Sequence, residues 1–159
     1  MNSPRRKEIR MPGYDYSQAG FYFLTICTQS SLCLFGSVQD GVMNLNHAGE
    51  MVQKWWNKVD EKFSEITFHE FVVMPNHLHG IVQINRRDHD MNKDDSPTVA
   101  KVVQWFKTMS INEYMRGVKQ KGWLQFSKRL WKRNYYEHII RDEEAYFEIV
   151  EYIRTNPQN

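Results

Sequence analysis

The sequence predicts an α+β fold: an antiparallel sheet with helices packed on it, in the ferredoxin-like split βαβ arrangement, with an extra β-hairpin and a C-terminal helix. Two observations carry that reading. Four short runs rich in β-branched and aromatic residues are separated by two segments whose apolar residues recur at helical spacing. The second and third of those runs are joined by Pro75 and Asn76 alone, a link short enough only for an antiparallel hairpin.

The elements follow in order. "FYFLTICT", Phe21 to Thr28, comes after Gly20 and reads as the first strand. In "SVQDGVMN" an Asp-Gly pair sits between two short runs, the signature of a hairpin turn. Asn46 suits the N-cap of a helix through "HAGEMVQKWWNKVDEKF", with Met51, Val52, Trp55, Trp56 and Val59 on its apolar side. "ITFHEFVVM" is the second core strand, and the strand containing "HLHGIVQI" returns beside it. The polar stretch from Asn85 to Pro97 follows as a loop, with Ser96 as N-cap and Pro97 as first residue of a helix running from Thr98 to about Arg116. That helix buries Val99, Val102, Val103, Phe106 and Met109. "NYYEHII" is the fourth core strand. Asp142 then caps a last helix whose first turn holds Glu143 and Glu144, favourable charges at that end, and Pro157 closes it.

At 159 residues, 41% hydrophobic and 14% aromatic, the chain is expected to be one domain over 1–159, large enough to bury a core, with a basic N-terminal arm at about 1–13. No apolar run approaches the roughly 20 residues of a membrane span, and the basic start lacks a signal-peptide core, so a cytoplasmic protein with no membrane partner is expected. Cys27 and Cys33 form no C-x-x-C pair and read as packing residues.

A formal net charge of +2 says little about partners, but its distribution is uneven. Arg116, Lys119, Lys121, Lys128, Arg129, Lys132 and Arg133 follow one another with no acidic residue between, and Trp123, Phe126 and Trp131 are interleaved. Such a segment suits phosphate contacts with base stacking; it equally describes a solvated loop anchored by three core rings. Arg5, Arg6, Lys7 and Arg10 add a second cationic cluster on the arm.

The most pointed local feature is "PNHLHG". On a strand, His77 and His79 share one face with Ile81 and Gln83, and Leu78, Val82 and Ile84 share the other. Two adjacent neutral imidazoles can hold a metal ion, and a pair of hydrogen-bonded strand-edge histidines gives the same pattern. Ile81 stands where a third alternating histidine would be, which excludes a histidine-triad nucleotide hydrolase.

"PNHLHGIV" together with "LWKRNYYEHIIRDEEAYFEIVEYIRTNP" resembles the single-tyrosine transposases among the His-hydrophobic-His endonucleases, most closely their REP-associated branch. "RMPGYDYSQAGFYFLTICTQ" and "LFGSVQDGVMNLNHAGEMV" extend the resemblance over nearly the whole chain. It implies that His77 and His79 bind a divalent metal, Mg²⁺ or Mn²⁺, that Tyr152 is the catalytic nucleophile, and that Asn156, one turn on, is a third ligand. It also implies single-stranded or hairpin DNA as partner, a covalent 5′-phosphotyrosine intermediate, and a monomer rather than a helix-swapped dimer. The spacing is physically sensible, because residues four apart stack on one helix face. Tyr135, Tyr136 and Tyr146 are rival nucleophiles, but none has a polar ligand type four residues on. A relaxase or replication initiator, and a non-catalytic domesticated transposase that binds hairpin DNA or RNA, are the competing readings.

Overall fold

A computed structural model describes residues 20–85 and 98–156. The arm cations Arg5, Arg6, Lys7 and Arg10, the cap at Ser96 and Pro97, and Pro157 all lie outside the described residues. Strands β1 (Gly20–Cys27), β4 (Ile66–Met74), β5 (His77–Ile84) and β6 (Tyr136–Ile140) form a sheet in the order β4-β5-β1-β6. Every neighbouring pair is antiparallel. It follows that β1 and β4 run parallel with β5 between them, and β5 and β6 run parallel with β1 between them, which is the split βαβ order expected from sequence. The hairpin β2 (Gly36–Gln39) and β3 (Val42–Leu45) pairs separately, turning at Asp40 and Gly41, both at positive φ.

Helices cover both faces. Helix α1 (His47–Asn57), the single turn α2 (Val59–Lys62) and α3 (Val99–Lys121) pack on one face, where Tyr22, Leu24, Ile26, Leu78 and Val82 meet Met51, Trp56, Val102 and Phe106. Asn46 caps α1 as expected, its Oδ1 accepting from Gly49 N at 2.8 Å. The expected continuous helix breaks at Lys58. Gly80 leaves room here for Trp56: a Cβ on Gly80 would come within 2.6 Å of the indole ring.

The opposite face is covered by α4 (Glu143–Thr155), whose Ile149, Val150 and Ile153 pack with Phe23, Ile81 and Ile140. Asp142 caps it, Oδ1 accepting from Ala145 N at 2.8 Å. Burying those three α4 side chains is worth about 5 kcal/mol before entropic costs. Arg154 adds an ion pair to Glu70 on β4 at 3.1 Å, which ties the end of α4 to the far edge of the sheet.

Three local expectations are corrected. The cap of α3 is Thr98, which accepts from Lys101 N at 3.1 Å, one residue beyond the expected start of the helix. That helix runs past Arg116 to Lys121, stopping where Gly122 takes a left-handed φ of 71°. Cys33 is exposed rather than packed, and Cys27 is half-buried.

Candidate active site

Alternation on β5 puts His77 and His79 on the α4 face, and antiparallel pairing with β1 sets Cys27 opposite His77 and Thr25 opposite His79. The Thr25 hydroxyl and His79 Nδ1 are 2.8 Å apart in a buried contact, and His77 Nδ1 donates to Asn76 Oδ1 at 2.7 Å. Both Nδ1 atoms are therefore engaged. That leaves Nε2 of each ring as the nitrogen able to ligate, with the Nδ1 contact in the place a second-shell partner takes for a ligating histidine. The two rings lie 4.5 Å apart between centroids.

Electrostatics keep the pair in its ligand form. Burial pushes His79 down to about 3, with the neighbouring His77 charge adding to the effect, and burial lowers His77 as well. Both imidazoles are neutral at physiological pH, as a metal ligand must be.

Helix α4 delivers the tyrosine. The ring of Tyr152 stands 5.4 Å from that of His79, and both pack against Phe23, at 6.2 and 5.4 Å. Asn156 is the C-cap of α4, one turn beyond Tyr152 on the same side of the helix and half-buried. Of the rival tyrosines, Tyr135 precedes β6 and packs in the core on the other face, and Tyr146 sits at the opposite end of α4 with Phe21 and His69. Among the described residues no group of three or more His, Cys, Asp or Glu side chains gathers around a metal-sized space. The donors that the geometry brings together are the two imidazoles, to which the resemblance would add the amide of Asn156. The chemistry of that set fits a hard divalent cation that keeps coordination positions open for water or phosphate.

The basic segment divides. Arg116, Lys119 and Lys121 are exposed around the end of α3, and Lys128, Arg129, Lys132 and Arg133 are exposed on the way to β6. The aromatic residues are packing groups. Trp131 is buried and donates Nε1–H to Ser110 Oγ at 3.0 Å, Phe126 packs on Tyr114, and Trp123 stacks on Tyr114 and fills the space left by Gly117. Trp123 is half-buried and packs against the core. Its sequence context hides this, because the glycine that admits it lies on the preceding helix.

Among these cations Lys132 is tied to Cys27, the residue opposite His77 on the ladder. Its backbone N–H donates to Cys27 O at 2.8 Å, and its ammonium lowers the Cys27 thiol against the dominant upward push of burial. Lys107 Nζ donates to the carbonyls of Lys132 and Arg133 at 2.8 and 3.1 Å, fixing that stretch. Sequence reasoning missed the Thr25 contact, which only the strand register reveals, and His69, which binds Gln83 Oε1 at 2.8 Å on the same face.

No family model matches the chain. An uncharacterized protein of Haemophilus influenzae Rd is 38% identical over 168 residues, covering 96% of this chain and 88% of that one. Among solved structures, a REP-associated tyrosine transposase bound to a REP hairpin superposes with a TM-score of 0.64 at 20% identity, over 94% of this chain and 73% of the other. No helix among the described residues is long and apolar enough to cross a membrane. The chain belongs to one family with the Haemophilus influenzae protein, a family with the fold of the REP-associated tyrosine transposase.

Proposed function

We propose that the protein is a metal-dependent single-strand DNA endonuclease and strand transferase, a cytoplasmic transposase-like enzyme acting beside hairpin repeats. The observation that carries this is the approach of Tyr152 to His79, 5.4 Å between rings, on a helix that places Asn156 on the same side.

In this reading Tyr152 Oη attacks a backbone phosphorus. A P–O bond to the tyrosine forms, the P–O3′ bond breaks, the phenolic proton passes to solvent, and the departing 3′ oxygen takes up a proton. The 5′-phosphotyrosine keeps the energy of the broken diester, so attack by another 3′-hydroxyl reseals a strand without ATP. A phenol with an ordinary pKa of about 10 is a poor nucleophile at neutral pH and needs assistance. His77, His79 and Asn156 would hold Mg²⁺ or Mn²⁺, which when bound polarises the phosphoryl oxygens. Thr25 and Asn76 fix the imidazoles, and Phe23 packs against the tyrosine ring, so positioning belongs to the chain itself. The exposed cations from Lys128 to Arg133, and those at Arg116, Lys119 and Lys121, would grip the phosphates.

The test is incubation with a pool of single-stranded oligonucleotides carrying hairpins, followed by denaturing electrophoresis. A protein species shifted by attached DNA, and abolished by chelator, is expected. Binding with no adduct under any divalent ion would favour the non-catalytic hairpin binder.

The tyrosine should act in cis. Helix α4 packs on its own sheet, and only Arg141 and the Asp142 cap separate it from β6. Mixing His77→Ala with Tyr152→Phe protein should leave cleavage absent; recovery would mean a tyrosine donated by a second copy.

A further inference from the structure

A concave space of about 470 Å³ opens at the start of α4, on the same sheet face as the histidines. Phe21, His69 and Tyr146 line it as a three-ring cluster, with centroids 5.2, 5.4 and 6.0 Å apart. Phe147 stands at its edge against Tyr146, 5.4 Å between centroids, and is 58% exposed. Single exposed rings are ordinary, but a ring that overhangs an aromatic-lined hollow leaves a flat face ready for a flat partner.

The rim narrows the chemistry. Asp142 and Glu143 line the same space as Arg141, so a phosphate would meet two carboxylates, whereas a neutral base would not be repelled. Unpaired bases are taken up by stacking on such rings and by hydrogen bonds to their edges, and carboxylates suit the exocyclic amines. Tyr146 precedes Tyr152 by six residues on one helix, about 9 Å along its axis. An unpaired strand covers that distance in about one or two nucleotides.

We propose that this cavity holds one unpaired nucleobase of the cleaved strand, stacked on the exposed ring of Phe147 with the nearly perpendicular Tyr146 ring beside it, and so sets a base preference close to the cleavage point. The proposal rests on the strand-cleaving reading of Tyr152 and deepens it. Phe147 is a specificity residue here; it makes no contact with the reacting atoms.

The experiment uses the full chain carrying Tyr152→Phe, bound to single-stranded oligonucleotides in which 5-iodouracil is moved one position at a time and then irradiated. A crosslink to the peptide containing Tyr146 and Phe147, from a position within about two nucleotides of the cleavage point, is expected. In the wild-type background, Phe147→Ala should weaken binding about 10-fold and flatten the base preference at that position, and Phe147→Tyr should restore both. Crosslinks confined to other peptides, or an unchanged preference in Phe147→Ala, would overturn the cavity while leaving the cleavage reading intact. A crosslink at Phe147, with no covalent adduct formed by the wild-type protein under any divalent ion, would refute cleavage and keep the cavity as a nucleic-acid site. Absence of any oligonucleotide binding would overturn both.

Discussion

On the side of the sheet under α1 and α3, β1 presents Tyr22, Leu24 and Ile26 and β5 presents Leu78, Val82 and Ile84, all fully or almost fully buried in one apolar cluster. On the other side the same two strands present Thr25, Cys27, His77 and His79 around a smaller apolar patch that α4 covers. On the first side the Trp131 indole N–H is paired with Ser110 Oγ, whereas the buried Trp56 Nε1 has no hydrogen-bond partner. The second keeps titratable nitrogens under a helix that carries a tyrosine. One strand register thus serves stability and chemistry through alternate residues, and a slip of one residue would exchange them. Substitutions on the two sides should therefore fail in different ways.

The largest separation is expected from Tyr152→Phe. Only a hydroxyl is lost, so the melting temperature and oligonucleotide binding should stay near those of the wild type, while strand cleavage falls by on the order of 10⁴-fold or more. Cleavage assays and gel shifts on one oligonucleotide measure both. A phosphotyrosine mapped to Tyr135, Tyr136 or Tyr146 would move the nucleophile. His77→Ala and His79→Ala should each abolish divalent-ion binding measured calorimetrically and reduce cleavage by about 10²–10³-fold. Asn156→Ala should cost less, since water replaces a carbonyl oxygen more readily than it replaces an imidazole.

The opposite face should show the reverse pattern. Trp56→Ala removes a fully buried indole and should lower stability by about 3–5 kcal/mol in denaturant unfolding. Gly80→Ala should also destabilise, because the added methyl meets the Trp56 ring and that ring is enclosed by Phe71 and Phe106. Near-native stability in either variant would show that this face tolerates repacking.

pH sharpens the contrast further. With His79 lowered to about 3 and His77 also lowered, the folded metal-free protein binds fewer protons than the unfolded chain below pH 6.5. Stability should thus be fully present above about pH 6.5 and decline as pH falls, for His79 by up to about 1.4 kcal/mol per pH unit down to about pH 3, with His77 adding in the same direction. His79→Gln should flatten part of that decline; an unchanged slope would mean that carboxylates elsewhere set it.

The sheet order, the hairpin, the caps at Asn46 and Asp142 and the facing of His77 with His79 were legible because period-two alternation and cap chemistry are local properties. The β4 strand was harder. Its register shifts between Phe68 and Phe71, so the faces of His69 and Glu70 could not be read from alternation. Thr25 beside His79 depends on residues 54 apart in sequence, whose pairing no local pattern encodes. Helix α3 outruns its expected end because the basic residues after Arg116 look like a solvated loop, although Lys119 and Lys121 suit a helix C-terminus and Gly122 supplies the stop.

The smallest expected effect separates the two halves of the basic segment. Lys132 is exposed, but its backbone is fastened to Cys27 and its ammonium lies close enough to act on that thiol, directly across the ladder from His77. Trp123 lies on the other side of the sheet among Tyr114, Gly117 and Lys121. If Lys132 neutralises a phosphate near the histidines, Lys132→Ala should weaken binding of single-stranded DNA uniformly across sequences and reduce the slope of log affinity against log salt by about 1, with the melting temperature unchanged. Trp123→Ala should do the opposite: it opens a gap over Gly117 and lowers stability, yet leaves the salt slope alone. Titrations at several salt concentrations, with a thermal melt for each variant, decide between them. An unchanged slope for Lys132→Ala would remove that cation from the DNA path and leave the exposed charges at Lys128, Arg129 and Arg133 to define it.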